Sequence, residues 1–149
     1  PCLWWVKLSS TAFSFRLTEG PILSDWARAR VLGTDAGCVI EFRGVVREQA
    51  RGQSVLRLEY SAYPRMVETE LASIASEMFA QFGVLRIAVE HSIGTVPVGD
   101  CSVVVAIAGA HRLEAFLAST AFMDALKERV PIWKKECYAD GSIWKGQGS

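Results

Sequence analysis

At 149 residues the chain has the length of one domain, enough to bury about two thirds of the surface its unfolded form would expose. Its 16 basic and 16 acidic residues cancel, which excludes the whole-molecule field of a nucleic-acid or membrane-surface binder and confines any anion site to a local cluster. With 50% hydrophobic and 21% charged residues the chain has the balance of a folded protein, and its longest apolar run, Val103 to Ala110, is too short to span a bilayer.

The opening Pro1-Cys2-Leu3-Trp4-Trp5-Val6 is apolar without the basic start and long apolar region of a secretory signal, so a cytoplasmic location is expected. Residues 1–11 form a lead of uncertain role, and the whole of residues 1–149 is read as a single domain. Phe13, Phe15 and Leu17 alternate with Ser14 and Arg16, the pattern of a half-buried first strand. Ser24 is placed to cap a short helix from Asp25 to Leu32, with Gly33 ending it. A second strand runs from Gly37 through Val39, Phe42 and Val45, where Gly44 marks a bulge or a close backbone approach. Arg47 to Gly52 reads as a polar loop. The third strand, Val55 to Tyr63, is expected to place Leu56, Leu58, Tyr60 and Ala62 on one face.

Pro64 opens the clearest helix, in which Val67, Leu71, Ile74, Met78 and Phe82 follow helical spacing until Gly83 stops it. Val84 to Val96 and Cys101 to Ala108 read as two antiparallel strands joined through Pro97-Val98-Gly99-Asp100, the second being nearly all apolar and therefore central. A further helix starts at His111, with Leu113, Phe116, Leu117, Met123 and Leu126 as its apolar face, and Pro131 ends it. The rest, Ile132 to Trp144, carries a strand and a turn at Asp140-Gly141. Strands that come singly and in pairs around two long helices give an α+β fold. The four cysteines have neither CxxC nor metal-ligand spacing, so free thiols are expected, with no metal and no bound cofactor.

Chemistry gathers between Ala110 and Glu136. His111 and Arg112 open a helix, where free backbone N–H groups and the helix dipole favour an anion such as phosphate and an arginine adds a bidentate fork, the equal alternative being a solvated arginine at a helix start. Lys127 lies one turn beyond Met123 at the edge of the apolar face, a position that can serve an acid, base or amine nucleophile but that more often holds a snorkelling surface lysine. The break at Pro131 lets Lys134 face the same pocket while Lys135 points away. No nucleophile elbow, P-loop, GxGxxG or HExxH is present.

An ordered set of short motifs goes further. Phe42-Arg43-Gly44-Val45-Val46-Arg47, Leu58-Glu59-Tyr60 with Tyr63, His91-Ser92-Ile93-Gly94, Val98-Gly99-Asp100, Ala110-His111-Arg112, Leu126-Lys127 and Pro131-Ile132-Trp133-Lys134-Lys135-Glu136 together resemble the catalytic (large) subunit family of molybdopterin synthase, from about Gly37 to Trp144. Ser61, Ser92 and Ala108-Gly109 depart from the family's usual residues. The resemblance implies a hammerhead-type α+β fold, with a mixed, mostly antiparallel sheet packed against two long helices. It implies a sulfurtransferase that builds the dithiolene of molybdopterin on cyclic pyranopterin monophosphate during molybdenum cofactor biosynthesis. The implied sulfur donor is a thiocarboxylate on the C-terminal Gly-Gly of a small ubiquitin-like carrier subunit, and the implied assembly is a homodimer of large subunits within a heterotetramer. Carried over residue by residue, Lys127 and Lys134 are catalytic, and Val45, Val46, Arg47, His111, Arg112, Lys135 and Glu136 bind substrate. The alternatives are a noncatalytic partner that docks a ubiquitin-like protein, and a phosphoester-binding enzyme that works without a carrier.

Overall fold

The computed structural model describes residues 12–148; the expectation for the lead at residues 1–11 lies outside them. Eight strands form one sheet in the order β2-β6-β5-β4-β7-β8, with β1 pairing β5 and β3 pairing β4. In chain order these are β1 (Phe13–Glu19), β2 (Cys38–Val45), β3 (Gln49–Ala50), β4 (Gln53–Ala62), β5 (Arg86–Pro97), β6 (Cys101–Gly109), β7 (Ile132–Tyr138) and β8 (Ile143–Gln147). The helices are α1 (Trp26–Val31), α2 (Pro64–Phe82) and α3 (Arg112–Arg129). Every pairing is antiparallel except β1 with β5, so the architecture is the expected α+β.

β5 joins the two halves of the sheet. Its first residues, Arg86 to His91, pair with β6, and its last, Gly94 to Pro97, pair with β4. At the changeover Gly94 has φ 78°, a left-handed conformation that glycine adopts without strain, and the Glu19 carboxylate packs where a Cβ would stand. β6 is buried along its whole length, as its apolar run predicts. The main core lies between the sheet and helices α2 and α3, drawing on Leu71, Ile74, Val89, Val105, Phe122 and Leu126. A smaller core under α1 contains Ile22, Val31, Val104 and Ala108.

Several local expectations need correction. Ser24 does not cap α1 through its own backbone position: Asp25 is the N-cap, and Ser24 Oγ accepts from Trp26 N at a long 3.4 Å. Leu32, in an extended conformation, ends α1 before Gly33. Within the polar loop, Gln49-Ala50 pair with Gln53-Ser54, making a tight hairpin across Arg51 and Gly52. On β4 the register against β7 shifts between Val55 and Arg57. The extra residue breaks the alternation, so Val55, Leu58 and Tyr60 are buried while Leu56 is 52% exposed.

The apolar face of α3 is also rotated from the expected one. Ala115, Ala118, Phe122, Met123 and Leu126 are buried, whereas Leu113, Phe116 and Leu117 are exposed. Small side chains let this helix approach the sheet closely: a Cβ on Gly109 would stand 3.2 Å from the Ala115 methyl carbon. Residues 115, 118, 122 and 126 keep helical spacing, and that phase turns the larger leucines outward. α2 matches its expectation, with Val67, Leu71, Ile74 and Met78 buried and Gly83 closing the helix in the left-handed conformation.

Candidate functional site

Where the end of β2, the β3–β4 hairpin, the last turn of α3 and β7 converge, they enclose a cavity of about 290 Å³. Its wall includes Arg47, Lys127 and Lys134, three cations from separate parts of the chain. The register of β2 against β6 shifts between Gly44 and Val45, and a Cβ on Gly44 would strike Val103 at 2.5 Å. This bulge and close approach set the inner edge of the cavity. Beyond the bulge Val46 is buried, with its N–H donating to Asp100 O at 3.0 Å and its carbonyl accepting from Gly99 N at 2.8 Å. Val45 and Arg47, on either side of this anchored residue, are exposed and line the cavity.

Lys127 stands in the last turn of α3, where the negative end of the helix favours a cation. Its neighbour Met123 lines the same wall. Lys134 enters from β7 with its side chain only 21% exposed. Burial holds its ammonium pKa below the usual lysine range, and Lys127, Arg51 and Arg47 push in the same direction against the attraction of Glu136. Such a lysine reaches its neutral, proton-accepting form closer to neutrality than a solvated one.

Glu136 is the acidic residue in the cavity wall and is itself buried. Tyr138 Oη donates to Glu136 Oε2, the Arg51 Nε lies 3.5 Å from that same oxygen, and Lys134 Nζ lies 3.8 Å from Oε1. Deeper in the wall, Tyr60 donates to Ser102 Oγ at 3.2 Å. The ring of His91 meets Tyr60 edge-on at 5.1 Å between centroids. His91 is fully buried, which lowers its pKa to about 4. Its Nδ1 lies 2.8 Å from Ser92 O; a carbonyl can only accept, so the neutral ring carries its proton on Nδ1.

The remaining expected residues lie elsewhere. Lys135 points to the other face of β7, as the strand period requires, and pairs with Glu59 at 2.7 Å. His111 and Arg112 sit at the opposite end of α3. His111 is its N-cap, and its backbone N–H donates to Glu114 Oε1 at 2.8 Å. The chain's own carboxylate thus occupies part of the helix start where an external anion was expected. Arg112 and Lys127 are separated by fifteen residues of helix, about 22 Å at the standard rise, and neither His111 nor Arg112 lines the cavity.

Arg51 and Trp144 escaped the reading of the sequence. The Arg51 Cζ stacks 3.7 Å from the Trp144 ring centroid, with Lys134 Nζ 5.9 Å from that centroid on the cavity side. The available signal was Arg51-Gly52 as the two central residues of a hairpin, hidden because Gln49-Ala50 carry no strand pattern. No group of three or more His, Cys, Asp or Glu side chains that could hold a metal ion occurs among the described residues. Cys38, Cys101 and Cys137 are free thiols, and no described helix is long and apolar enough to cross a membrane. The arrangement is a partly enclosed cationic cavity, suited to holding a phosphorylated substrate and to stabilising an oxyanion that forms beside a lysine.

Comparison with known proteins identifies the family. The family model described as MoaE protein matches residues 17–129. The molybdopterin synthase catalytic subunit of Halalkalibacterium halodurans is 38% identical over 136 residues, covering 91% of this chain and 87% of the relative. The crystal structure of molybdopterin synthase from Staphylococcus aureus superposes with TM-score 0.79 at 33% identity, covering 93% of this chain and 99% of that one. A complex of subunits 1 and 2 of molybdopterin-converting factor from Helicobacter pylori shares the fold, with TM-score 0.68 at 21% identity over 85% of this chain and 86% of the other. By the span of the family match, the identity to its relatives and the shared architecture, the chain belongs to the MoaE protein family.

Proposed function

We propose that this chain is the catalytic subunit of a molybdopterin synthase, a cytoplasmic sulfurtransferase of molybdenum cofactor biosynthesis. The observation that carries the reading is the convergence of Arg47, Lys127 and Lys134 on one cavity from three distant parts of the chain. The substrate is cyclic pyranopterin monophosphate, and the sulfur arrives as a thiocarboxylate on the C-terminal Gly-Gly of a small ubiquitin-like carrier. Both are anions. The thiocarboxylate sulfur bonds to a substrate carbon as an oxygen group leaves it. Water then adds to the resulting thioester and puts negative charge on the tail carbonyl oxygen, and cleavage of the tail's C–S bond leaves the sulfur on the substrate and a carboxylate on the carrier. Arg47 holds the substrate phosphate by a bidentate fork. Lys127, on the exposed rim, meets the carbonyl of the incoming tail and stabilises its oxyanion. Lys134, held at a lowered pKa by burial, orients the substrate and moves a proton to or from it. Val45 and Val46 shape the inner edge, while Glu136 orients Lys134.

His111 and Arg112 act in this scheme from a second copy of the chain. They stand too far along α3 to reach the cavity of their own chain. Beside them Leu113, Phe116 and Leu117 are 67%, 56% and 49% exposed, an apolar surface suited to subunit contact. A homodimer that buries this surface can bring each His111-Arg112 pair to the partner's cavity, with one carrier subunit per copy completing a heterotetramer. Lys135 acts indirectly, by holding Glu59 on the outer face of the sheet.

The test is reconstitution with thiocarboxylated carrier and cyclic pyranopterin monophosphate, reading molybdopterin as its fluorescent oxidation product. Product is expected with wild type and lost with Lys127→Ala. Undiminished product from that variant contradicts the assignment. Product without carrier would favour a phosphoester enzyme acting alone, and no product with wild type would favour a docking protein.

A further inference from the structure

Arg51 is the one non-glycine residue with positive φ among the described residues, at 53°. It occupies the first central position of the β3–β4 hairpin, before Gly52 at φ 73°. A left-handed arginine is uncommon and persists only where its surroundings hold it. Two contacts do so here: the guanidinium stacks on Trp144 at 3.7 Å, and its Nε approaches Glu136 Oε2 at 3.5 Å. A stacked guanidinium has a fixed place that a lysine ammonium on a flexible stem lacks.

The placement matters because of what Glu136 would otherwise do. A carboxylate in a cavity built for anions repels the substrate and competes for the nearest cation, Lys134. Its Oε2 is already engaged by Tyr138 and Arg51, and Lys134 lies only within the outer ion-pair range of Oε1, at 3.8 Å. We propose that Arg51 is a positioning residue: clamped on Trp144, it holds Glu136 so that the carboxylate does not neutralise Lys134. The assignment rests on the function proposed above for Lys134, but its geometry does not.

Charged and titratable groups reach Lys134 from several elements. Glu136 lies on its own strand, Lys127 comes from α3, Arg51 from the hairpin, Arg47 from the segment after β2, and Tyr60 is its register partner on β4. β8 contributes the Trp144 ring. Removing Arg51 takes away one repelling cation and frees Glu136 to close on Lys134, and both changes favour the protonated amine.

Competitive acetylation of the isolated protein across a pH series, with Lys134 followed by mass spectrometry, reads this directly without any substrate. In Arg51→Gln the Lys134 midpoint should rise by about half a pH unit, equivalent to about threefold lower labelling at neutral pH. Arg51→Gly, which accepts the backbone conformation without strain, should give the same shift. Arg51→Lys should retain part of the wild-type midpoint, and Trp144→Leu should lose part of it by releasing the guanidinium. In a Glu136→Gln background the effect of Arg51→Gln should shrink, because no carboxylate remains to be freed. A purely structural arginine would change melting temperature and leave the midpoint alone. An unchanged Lys134 midpoint in a folded Arg51→Gln or Arg51→Gly variant overturns the proposal. The molybdopterin assay separates it from the functional reading: a shifted midpoint in a protein that makes no product keeps the positioning role and removes the assigned reaction.

Discussion

The two ends of α3 carry the same kind of residue in opposite settings. At its C-terminal end Lys127 faces a cavity that also contains Arg47 and the half-buried Lys134, against a floor of Tyr60 and Ser102. At its N-terminal end His111 and Arg112 are exposed, capped by the chain's own Glu114 and bordered by outward-facing Leu113, Phe116 and Leu117. One end lines a cavity within a single chain; the other is, in the function proposed above, half of a site completed by a second copy. Positive charge alone does not separate them. What does is whether the surrounding elements enclose the charge.

The largest expected effect is at the enclosed end. Lys127→Ala should lower turnover on the order of 1,000-fold by removing oxyanion stabilisation. Because Lys127 is exposed, the melting curve should stay near that of wild type. A matched loss of stability and turnover would make Lys127 a structural residue and erase the contrast.

Next comes the floor beneath it. His91 titrates near 4 in the fold against 6.5 as a free side chain. Between those values the unfolded chain binds the extra proton, so stability is greatest above about pH 6.5 and falls as the pH falls through the window. The loss approaches about 3 kcal/mol for the full shift. Denaturant titrations from pH 7 to pH 4 measure it, and His91→Phe should flatten the slope. An unchanged slope in that variant would place the acid sensitivity elsewhere.

At the open end the effects are smaller. Arg112→Ala should raise KM about tenfold through loss of a charge-assisted phosphate contact, with turnover less affected. Glu114→Ala should lower the melting temperature slightly by removing the cap on α3, and leave turnover near wild type. If Glu114→Ala harmed turnover as much as Lys127→Ala, the two ends would not be separable.

The contrast also marks where the sequence is readable. α2 follows from its spacing, because a large apolar residue recurs on every turn of one face. α3 does not, because its buried face is partly alanine: Ala115 and Ala118 pack closely where size-weighted reading selects Leu113, Phe116 and Leu117. The position of Leu56 depends on a bulge between Val55 and Arg57, which is fixed by pairing with β7 and leaves no local mark. In the site, strand alternation alone separates Lys134 from Lys135, and the motif around Gly44 announces its bulge. Arg51, Trp144 and the split between Lys127 and Arg112 are tertiary facts. They arise from a hairpin folding over β8 and from the length of a helix, neither of which a motif contains.

Mixing two impaired variants tests the division most directly. Lys127→Ala and Arg112→Ala proteins are unfolded together, refolded at equal concentration and assayed for molybdopterin at substrate well below KM, where the raised KM of Arg112→Ala leaves it about a tenth of wild-type activity. If each cavity takes His111 and Arg112 from the partner, half of the sites in every mixed dimer are intact, and the mixture recovers about a quarter of wild-type activity. If both ends served the same chain's cavity, every site in a mixed dimer would carry one substitution. Activity no higher than the average of the two parents would then contradict the account.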